Sequence, residues 1–127
     1  MGLHILVVDD SSVMRSMIIK TLKLSGVDIG RIFQAANGLE GLQVLDQEKM
    51  DLILVDINMP VMDGMEMLEK LRERTDTRDV PVMVVSTESN EQRISLFYEY
   101  GASFVHKPFT PEELGEEIDN LTGSLNN

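Results

Sequence analysis

The hydrophobic residues of the chain fall into five short runs, and each run is followed by a longer segment of mixed polarity. Runs such as LILV at 52–55 are apolar at every position, which is typical of strands covered by helices on both faces. The segments that follow are about 10–15 residues long and have apolar residues at helical spacing. This alternation predicts an α/β fold, namely a single-domain (βα)₅ doubly wound parallel sheet of five strands.

Turn and capping residues refine the limits of these elements. Asn37-Gly38 and Asp63-Gly64 mark turns, and Pro111 occupies a first helical position behind Thr110, a residue type that caps helices. A polar surface loop is expected at 75–79, and a loose tail at 124–127 is expected to follow a domain at 1–123. The predicted strands are 4–9, 31–35, 52–56, 82–86 and 103–107, and the predicted helices are 12–24, 38–47, 64–74, 91–100 and 111–121.

Composition and charge exclude several classes of protein. The chain of 127 residues has no cysteine, so neither a disulfide framework nor a thiolate zinc site is expected. Its net charge of −11 would be repelled by a phosphate backbone, so we expect no binding to nucleic acid. Its apolar runs are far shorter than the ~20 residues of a membrane-spanning helix. We therefore expect a cytoplasmic monomer that does not bind membranes.

Polar side chains stand at the carboxyl ends of four predicted strands, where open parallel sheets bind ligands. They are Asp9 and Asp10, Asp56, Ser86, and Lys107. Three carboxylates at neighbouring strand ends would repel one another by roughly 4 kcal/mol per pair at an effective dielectric constant of ~20. A divalent cation and Lys107 would relieve this repulsion. Oxygen ligands without His or Cys favour Mg²⁺, for which Mn²⁺ could substitute.

A carboxylate that is held ionised by a metal and a lysine can attack phosphorus, and Asp56 is the candidate for this role. The hydroxyl group of Ser86 could then donate a hydrogen bond to a phosphoryl oxygen. Each residue also has a purely structural interpretation. Asp10 could cap the first helix, Asp56 could be a turn residue, and Lys107 could be a solvated surface lysine.

Four segments carry a resemblance to a known family. They are LVVDDSSVMR (6–15), LILVDINMPVMDG (52–64), PVMVVSTES (81–89) and FVHKPF (104–109). Over residues 3–122 the chain resembles response-regulator receiver domains, in particular the stand-alone CheY type of chemotaxis. The resemblance implies the flavodoxin-like strand order 2-1-3-4-5. It also implies that Asp56 is the phosphoacceptor, and that Asp9, Asp10, Asp56 and the backbone carbonyl of Asn58 hold Mg²⁺.

The same resemblance implies further roles around this site. Lys107 would contact the phosphoryl group, and the bond between Lys107 and Pro108 would be a cis peptide. Asn58 and Glu88, two residues beyond Asp56 and Ser86, would flank the path of the hydrolytic water and tune self-dephosphorylation.

Ser86 and Phe104 would form the switch. Ser86 would move toward the phosphate, Phe104 would swing into the space it vacates, and the face of the fourth helix, fifth strand and fifth helix would change shape. Two departures from the chemotaxis pattern bear on this switch. Phe104 lacks the hydroxyl of the usual Tyr, and the segment 101–107 is one residue shorter than usual.

The resemblance implies a two-component response regulator that is phosphorylated by a CheA-like histidine kinase. A downstream protein, such as a flagellar motor switch component, would read its state, and a phosphatase could reset it. A phosphorelay intermediate or a phosphate sink outside chemotaxis is the alternative. Two other classes fit the sequence less well. One is a phosphatase of the haloacid-dehalogenase type, whose Asp-x-Asp motif on the first strand differs from this chain's pattern, and the other is a degenerate receiver that acts only as a scaffold.

Overall fold

The computed structural model describes residues 2–123, in which five strands and five helices alternate. No predicted boundary differs from the observed one by more than two residues. The tail predicted at 124–127 lies outside the described residues. The strands are β1 (Leu3–Val8), β2 (Ile29–Ala35), β3 (Leu52–Val55), β4 (Val82–Ser86) and β5 (Ser103–His106), and the helices are α1 (Ser12–Leu24), α2 (Gly38–Gln47), α3 (Gly64–Glu73), α4 (Glu91–Glu99) and α5 (Pro111–Thr122).

The five strands form one parallel sheet in the order β2-β1-β3-β4-β5, which confirms the predicted fold class and strand order. Val8 at the end of β1 is in register with Ala35 of β2 on one side and Val55 of β3 on the other. The chain first adds β2 beside β1 and then crosses to the opposite side to add β3. The strand order therefore reverses between β1 and β3, and a ligand site is expected at their carboxyl ends.

The two faces of the sheet bury two separate hydrophobic clusters, which explains why the central strands are apolar at nearly every position. In β1, Leu6 and Val8 belong to the cluster beneath α2, α3 and α4, whereas Ile5 and Val7 belong to the cluster beneath α1 and α5. Successive side chains of a strand point to opposite faces, so a strand with helices on both sides needs apolar residues throughout. Within residues 2–123, none of the helices combines the length and apolar character needed to cross a membrane.

Side-chain caps set the starts of the helices. Ser11, rather than Asp10, is the N-cap of α1, since its side chain accepts a hydrogen bond from the backbone N–H of Met14. Thr110 caps α5 with Pro111 at the first helical position, as predicted. Because Ser11 satisfies the helix end, the carboxylate of Asp10 is left for another role.

The loop between β3 and α3 is tightly constrained. The N–H of Met62 donates to the carbonyl of Pro60 at 2.7 Å around Val61, whose φ of +68° is unusual for a β-branched residue. Such a γ-turn is strained. A side chain at Gly64 would place its Cβ 2.3 Å from the carbonyl oxygen of Asp56, so only glycine allows α3 to begin this close to the end of β3.

The segment 75–79 is not simply the polar surface loop that its composition predicts. Thr77 is buried, and its hydroxyl donates to the carbonyl oxygen of Leu71 at 2.8 Å. A polar residue is tolerated at this buried position because its hydroxyl has a hydrogen-bond partner.

Candidate functional site

Backbone hydrogen bonds align the ends of the central strands. The N–H of Asp56 donates to the carbonyl of Val8 at 3.0 Å, which places Asp56 beside the end of β1. The N–H of Lys107 donates to the carbonyl of Ser86 at 3.0 Å, which places Lys107 beside the end of β4. The sheet itself therefore gathers the polar residues that the sequence placed at its strand ends.

Three carboxylates meet at this edge of the sheet. Asp9, Asp10 and Asp56 each offer a carboxylate oxygen, and these oxygens lie within 4.8 Å of one another. The ammonium group of Lys107 lies 3.7 Å from Oδ2 of Asp9 and 3.9 Å from Oδ1 of Asp56. The structure thus brings together the acidic residues and the lysine that the sequence predicted to converge.

The carboxylate of Asp9 is buried and only partly satisfied by hydrogen bonds. Only 2% of this residue is exposed, and its Oδ1 accepts the N–H of Ser11 at 2.9 Å. Its Oδ2 is buried without a hydrogen-bond partner among residues 2–123, because Lys107 is too far away to donate. A buried carboxylate oxygen without a partner is costly. An all-oxygen site with such an atom fits a small hard cation, for which Asp9, Asp10 and Asp56 supply suitable ligands.

Asp56 is held in a conflicting environment. Burial raises the pKa of its carboxyl group above the ordinary value of 3.8, Lys107 lowers it, and the charge of Asp9 raises it again. The N–H of Ile57 donates to Oδ1 at 2.9 Å and favours the ionised form. The net direction is upward, so a single lysine does not offset both burial and the neighbouring carboxylates. A further cation would favour the ionised carboxylate.

Ser86 lies at the end of β4 with only 4% of its surface exposed. Its Oγ accepts a hydrogen bond from the N–H of Glu88 at 3.1 Å, so the hydroxyl is linked to the loop that leads into α4. A movement of this hydroxyl would be passed directly to Glu88.

The side chain of Glu88 is bound on the α4 side of this loop. Its Oε1 accepts from Nη1 of Arg93 at 2.6 Å, and its Oε2 accepts from the N–H groups of Ser89 and Asn90 at 3.2 Å each. Asn58 lies in the loop after Asp56 and is exposed. The roles of Glu88 and Asn58 in dephosphorylation, and of the Asn58 carbonyl as a metal ligand, stay predictions.

Phe104 is already inside the protein, with 8% of its surface exposed. Its ring packs edge-on against Phe97 of α4 at a centroid distance of 6.4 Å, and His106 lies at 4.7 Å on a tilted plane. The ring is therefore buried between β5 and α4, and its expected swing on phosphorylation stays a prediction. Because Phe104 has no hydroxyl group, its burial leaves no polar side-chain atom without a hydrogen-bond partner.

The peptide bond between Lys107 and Pro108 is cis, as the resemblance implied.

Two residues at the site were missed by sequence reasoning, namely Arg15 and Arg93. Nη1 of Arg15 donates to the carbonyl oxygen of Asp9 at 2.6 Å and so fixes the end of β1. Both arginines lie on helix surfaces near the site. From the sequence alone, such an arginine cannot be distinguished from one that is only solvated.

Comparison with known proteins agrees with this geometry. A family model described as the response regulator receiver domain matches residues 5–119. A CheY homolog of Campylobacter jejuni is 34% identical over 124 residues, which cover 96% of this chain and 94% of that protein. The crystal structure of CheY4 from Vibrio cholerae matches with a TM-score of 0.84 and 30% identity, over 95% of this chain and 99% of that chain.

A third match is a receiver domain that belongs to a kinase. The receiver domain of a sensor histidine kinase from Pseudomonas aeruginosa was solved with a magnesium ion coordinated in its active-site cleft. It matches with a TM-score of 0.84 and 25% identity, over 97% of this chain and 99% of that chain. Receiver domains are phosphoacceptor switches that take phosphate from histidine kinases and bind downstream targets. The chain belongs to the response regulator receiver domain family.

Proposed function

We propose that the chain accepts a phosphoryl group on Asp56 from the phosphohistidine of a CheA-like histidine kinase, in a reaction that requires Mg²⁺. The observation that carries this proposal is the convergence of three carboxylates within 4.8 Å of one another beside the ammonium group of Lys107. A solvated or structural role for these groups would not require them to converge at one edge of the sheet.

Asp9, Asp10, Asp56 and the backbone carbonyl of Asn58 would hold Mg²⁺, or Mn²⁺ in its place. When bound, the ion supplies positive charge that neutralises carboxylate and phosphoryl oxygens. The unpartnered Oδ2 of Asp9 supports this assignment. The magnesium ion in the Pseudomonas receiver domain supports it by analogy.

The phosphoryl transfer itself uses few protein groups. Oδ1 of Asp56 accepts the N–H of Ile57 and faces Lys107, so we assign the attack on phosphorus to Oδ2. The new P–O bond forms as the P–N bond of phosphohistidine breaks, and the departing imidazole takes a proton from solvent. Lys107 neutralises the equatorial oxygens, and the hydroxyl of Ser86 donates to one of them.

The phosphoryl group adds roughly −1.5 to −2 charges next to Ser86. As the hydroxyl turns toward it, the hydrogen bond from the N–H of Glu88 moves the loop before α4. Phe104 packs on Phe97 of α4, so a shift of α4 repacks this aromatic pair and Phe104 swings into the space that Ser86 vacates. The face of α4, β5 and α5 then binds a downstream protein that prefers one of the two shapes.

Chemotaxis is the proposed circuit, with a flagellar motor switch component as the downstream protein and a phosphatase as a possible partner. The names of the Campylobacter and Vibrio relatives support it. A phosphorelay intermediate or a phosphate sink is the second candidate, because the kinase-derived receiver domain matches this chain with the same TM-score of 0.84 as the chemotaxis protein. A cytoplasmic, monomeric state fits both circuits.

The chemistry is tested by incubating the protein with a small phosphodonor and Mg²⁺ and measuring its intact mass. The wild type is expected to gain one phosphoryl group, and Asp56→Asn is expected to gain none. Asp119→Asn makes the same chemical change on the exposed surface of α5 and should label like the wild type. Labelling of Asp56→Asn at the wild-type rate, or undiminished labelling in excess EDTA, would refute the proposal.

A further inference from the structure

The carboxylate of Glu88 has more bonds than a solvent-exposed glutamate usually makes. It accepts the two N–H groups of Ser89 and Asn90 and forms an ion pair with Arg93, and only 18% of its side chain is exposed. The ion pair is short, with 2.6 Å between Nη1 of Arg93 and Oε1 of Glu88. Both oxygens of this carboxylate are therefore engaged by the start of α4.

The backbone of Glu88 is at the same time tied to the reaction site. Its N–H donates to Oγ of Ser86 at 3.1 Å, and Ser86 stands at the end of β4 next to Lys107, the residue that follows β5. Glu88 thus has its amide at the site and its charge directed to α4. Rotation about the side-chain bonds of Glu88 would turn its carboxylate from α4 toward the site, and the anchored amide would not need to move.

Arg93 is the only charged group among the three donors to this carboxylate in the described part of the chain. Charge-assisted hydrogen bonds are shorter and stronger than neutral ones, which agrees with distances of 2.6 Å to Arg93 and 3.2 Å to each backbone N–H. Asn90 caps α4 by accepting the backbone N–H of Arg93, so the arginine is fixed at the first turn. The helix start therefore presents Arg93 to Glu88 in a preset position.

We propose that Arg93 is a positioning residue that holds the carboxylate of Glu88 away from phosphorylated Asp56 and so prolongs the phosphorylated state. The inference rests on the proposed function of Asp56. Released from Arg93, the carboxylate of Glu88 reaches the water that attacks the phosphoryl group and accepts its proton, which accelerates hydrolysis. The P–O bond to Asp56 breaks, inorganic phosphate leaves, and the aspartate is regenerated.

The test measures the half-life of phosphorylated Asp56 after the phosphodonor is removed, in a double-mutant cycle. Arg93→Gln is expected to shorten the half-life by about two- to fivefold, the range that an exposed ion pair supports. Glu88→Gln alone gives the reference half-life for a protein without a carboxylate at this position. Arg93→Gln in the Glu88→Gln background should then have no further effect.

Two controls separate positioning from general structural effects. Arg93→Lys keeps the charge and should restore most of the half-life, whereas Arg78→Gln removes an exposed arginine elsewhere and should leave it unchanged. An equal effect of Arg93→Gln with and without Glu88, or no effect in either background, would overturn the inference while labelling of Asp56 still stands. If the wild type does not label at Asp56 at all, the proposed function itself fails.

Discussion

At Asp56, burial within the fold opposes the ionised state that phosphoryl transfer requires. Burial, as the largest cause, raises the pKa of its carboxyl group above 3.8, and Lys107 only partly opposes this. At pH values between 3.8 and its native pKa, the carboxyl group of Asp56 therefore binds more protons in the native state than in the unfolded state. Stability must fall as the pH rises through that window and stay reduced above it.

Replacing this carboxyl group by a neutral amide removes that cost. In metal-free buffer, Asp56→Asn should have a higher free energy of unfolding than the wild type at neutral pH. The difference should shrink as the pH falls through the native pKa and disappear below about 3.8, the ordinary value. Urea unfolding of both proteins across this pH range, in EDTA, measures it. A difference that does not vary with pH would show that the carboxylate charge is not its cause.

Which residues gather at the site could be predicted from the sequence, but the orientation of several side chains could not. Asp9, Asp56 and Lys107 directly follow β1, β3 and β5, so the parallel sheet alone brings them together. The direction of Glu88 depends on Arg93 and on the first turn of α4, and the burial of Phe104 depends on its packing against Phe97. Such contacts between elements leave no periodic signal along the chain.

At the level of elements, Arg72 connects three parts of the fold that the sequence does not show to be neighbours. From α3, its Nε donates to the carbonyl of Tyr100 at 2.7 Å. Its Nη1 donates to the carbonyls of Arg78 and Val80 at 3.1 and 2.8 Å. One guanidinium group thus holds the end of α4 and the segment before β4 against α3.

Loss of this guanidinium group should destabilise the fold without touching the strand ends. Arg72→Met leaves three carbonyl groups without their charged donor, and we expect a loss of about 2–3 kcal/mol in the free energy of unfolding. Lys70→Met on the same helix removes an exposed charge and should change it by less than ~0.5 kcal/mol. Chemical denaturation gives both values, and a similar small change in the two variants would contradict this role for Arg72.

The elements themselves were predictable because their signals are local. Buried runs specify the strands, and caps such as Thr110 with Pro111 specify the helix starts. Two features of the connections were not predictable. Thr77 is buried by contacts with residues outside its own segment, and Val61 adopts a positive φ that its β-branched side chain disfavours. In both cases the surrounding structure overrides local preference.

For the whole molecule, the 22 acidic and 11 basic residues mean that Mg²⁺ is attracted both to the candidate site and to the surface in general. Only the native sheet brings Asp9, Asp10 and Asp56 within 4.8 Å of one another. An ion that binds there must stabilise the folded state, by about 2.7 kcal/mol when its free concentration is 100 times Kd. Screening of dispersed surface charges needs no such cluster and follows ionic strength alone.

Asp9→Asn separates these two effects, because it removes one ligand from the buried cluster and changes the net charge by only one unit. Mg²⁺ should raise the melting temperature of the wild type well above its value in NaCl of equal ionic strength, and Asp9→Asn should lose most of this extra increase. Asp119→Asn changes the net charge equally on the exposed face of α5 and should keep it. If the two variants respond to Mg²⁺ alike, the ion acts through the general field of an acidic protein, and the carboxylates at the strand ends do not form its site.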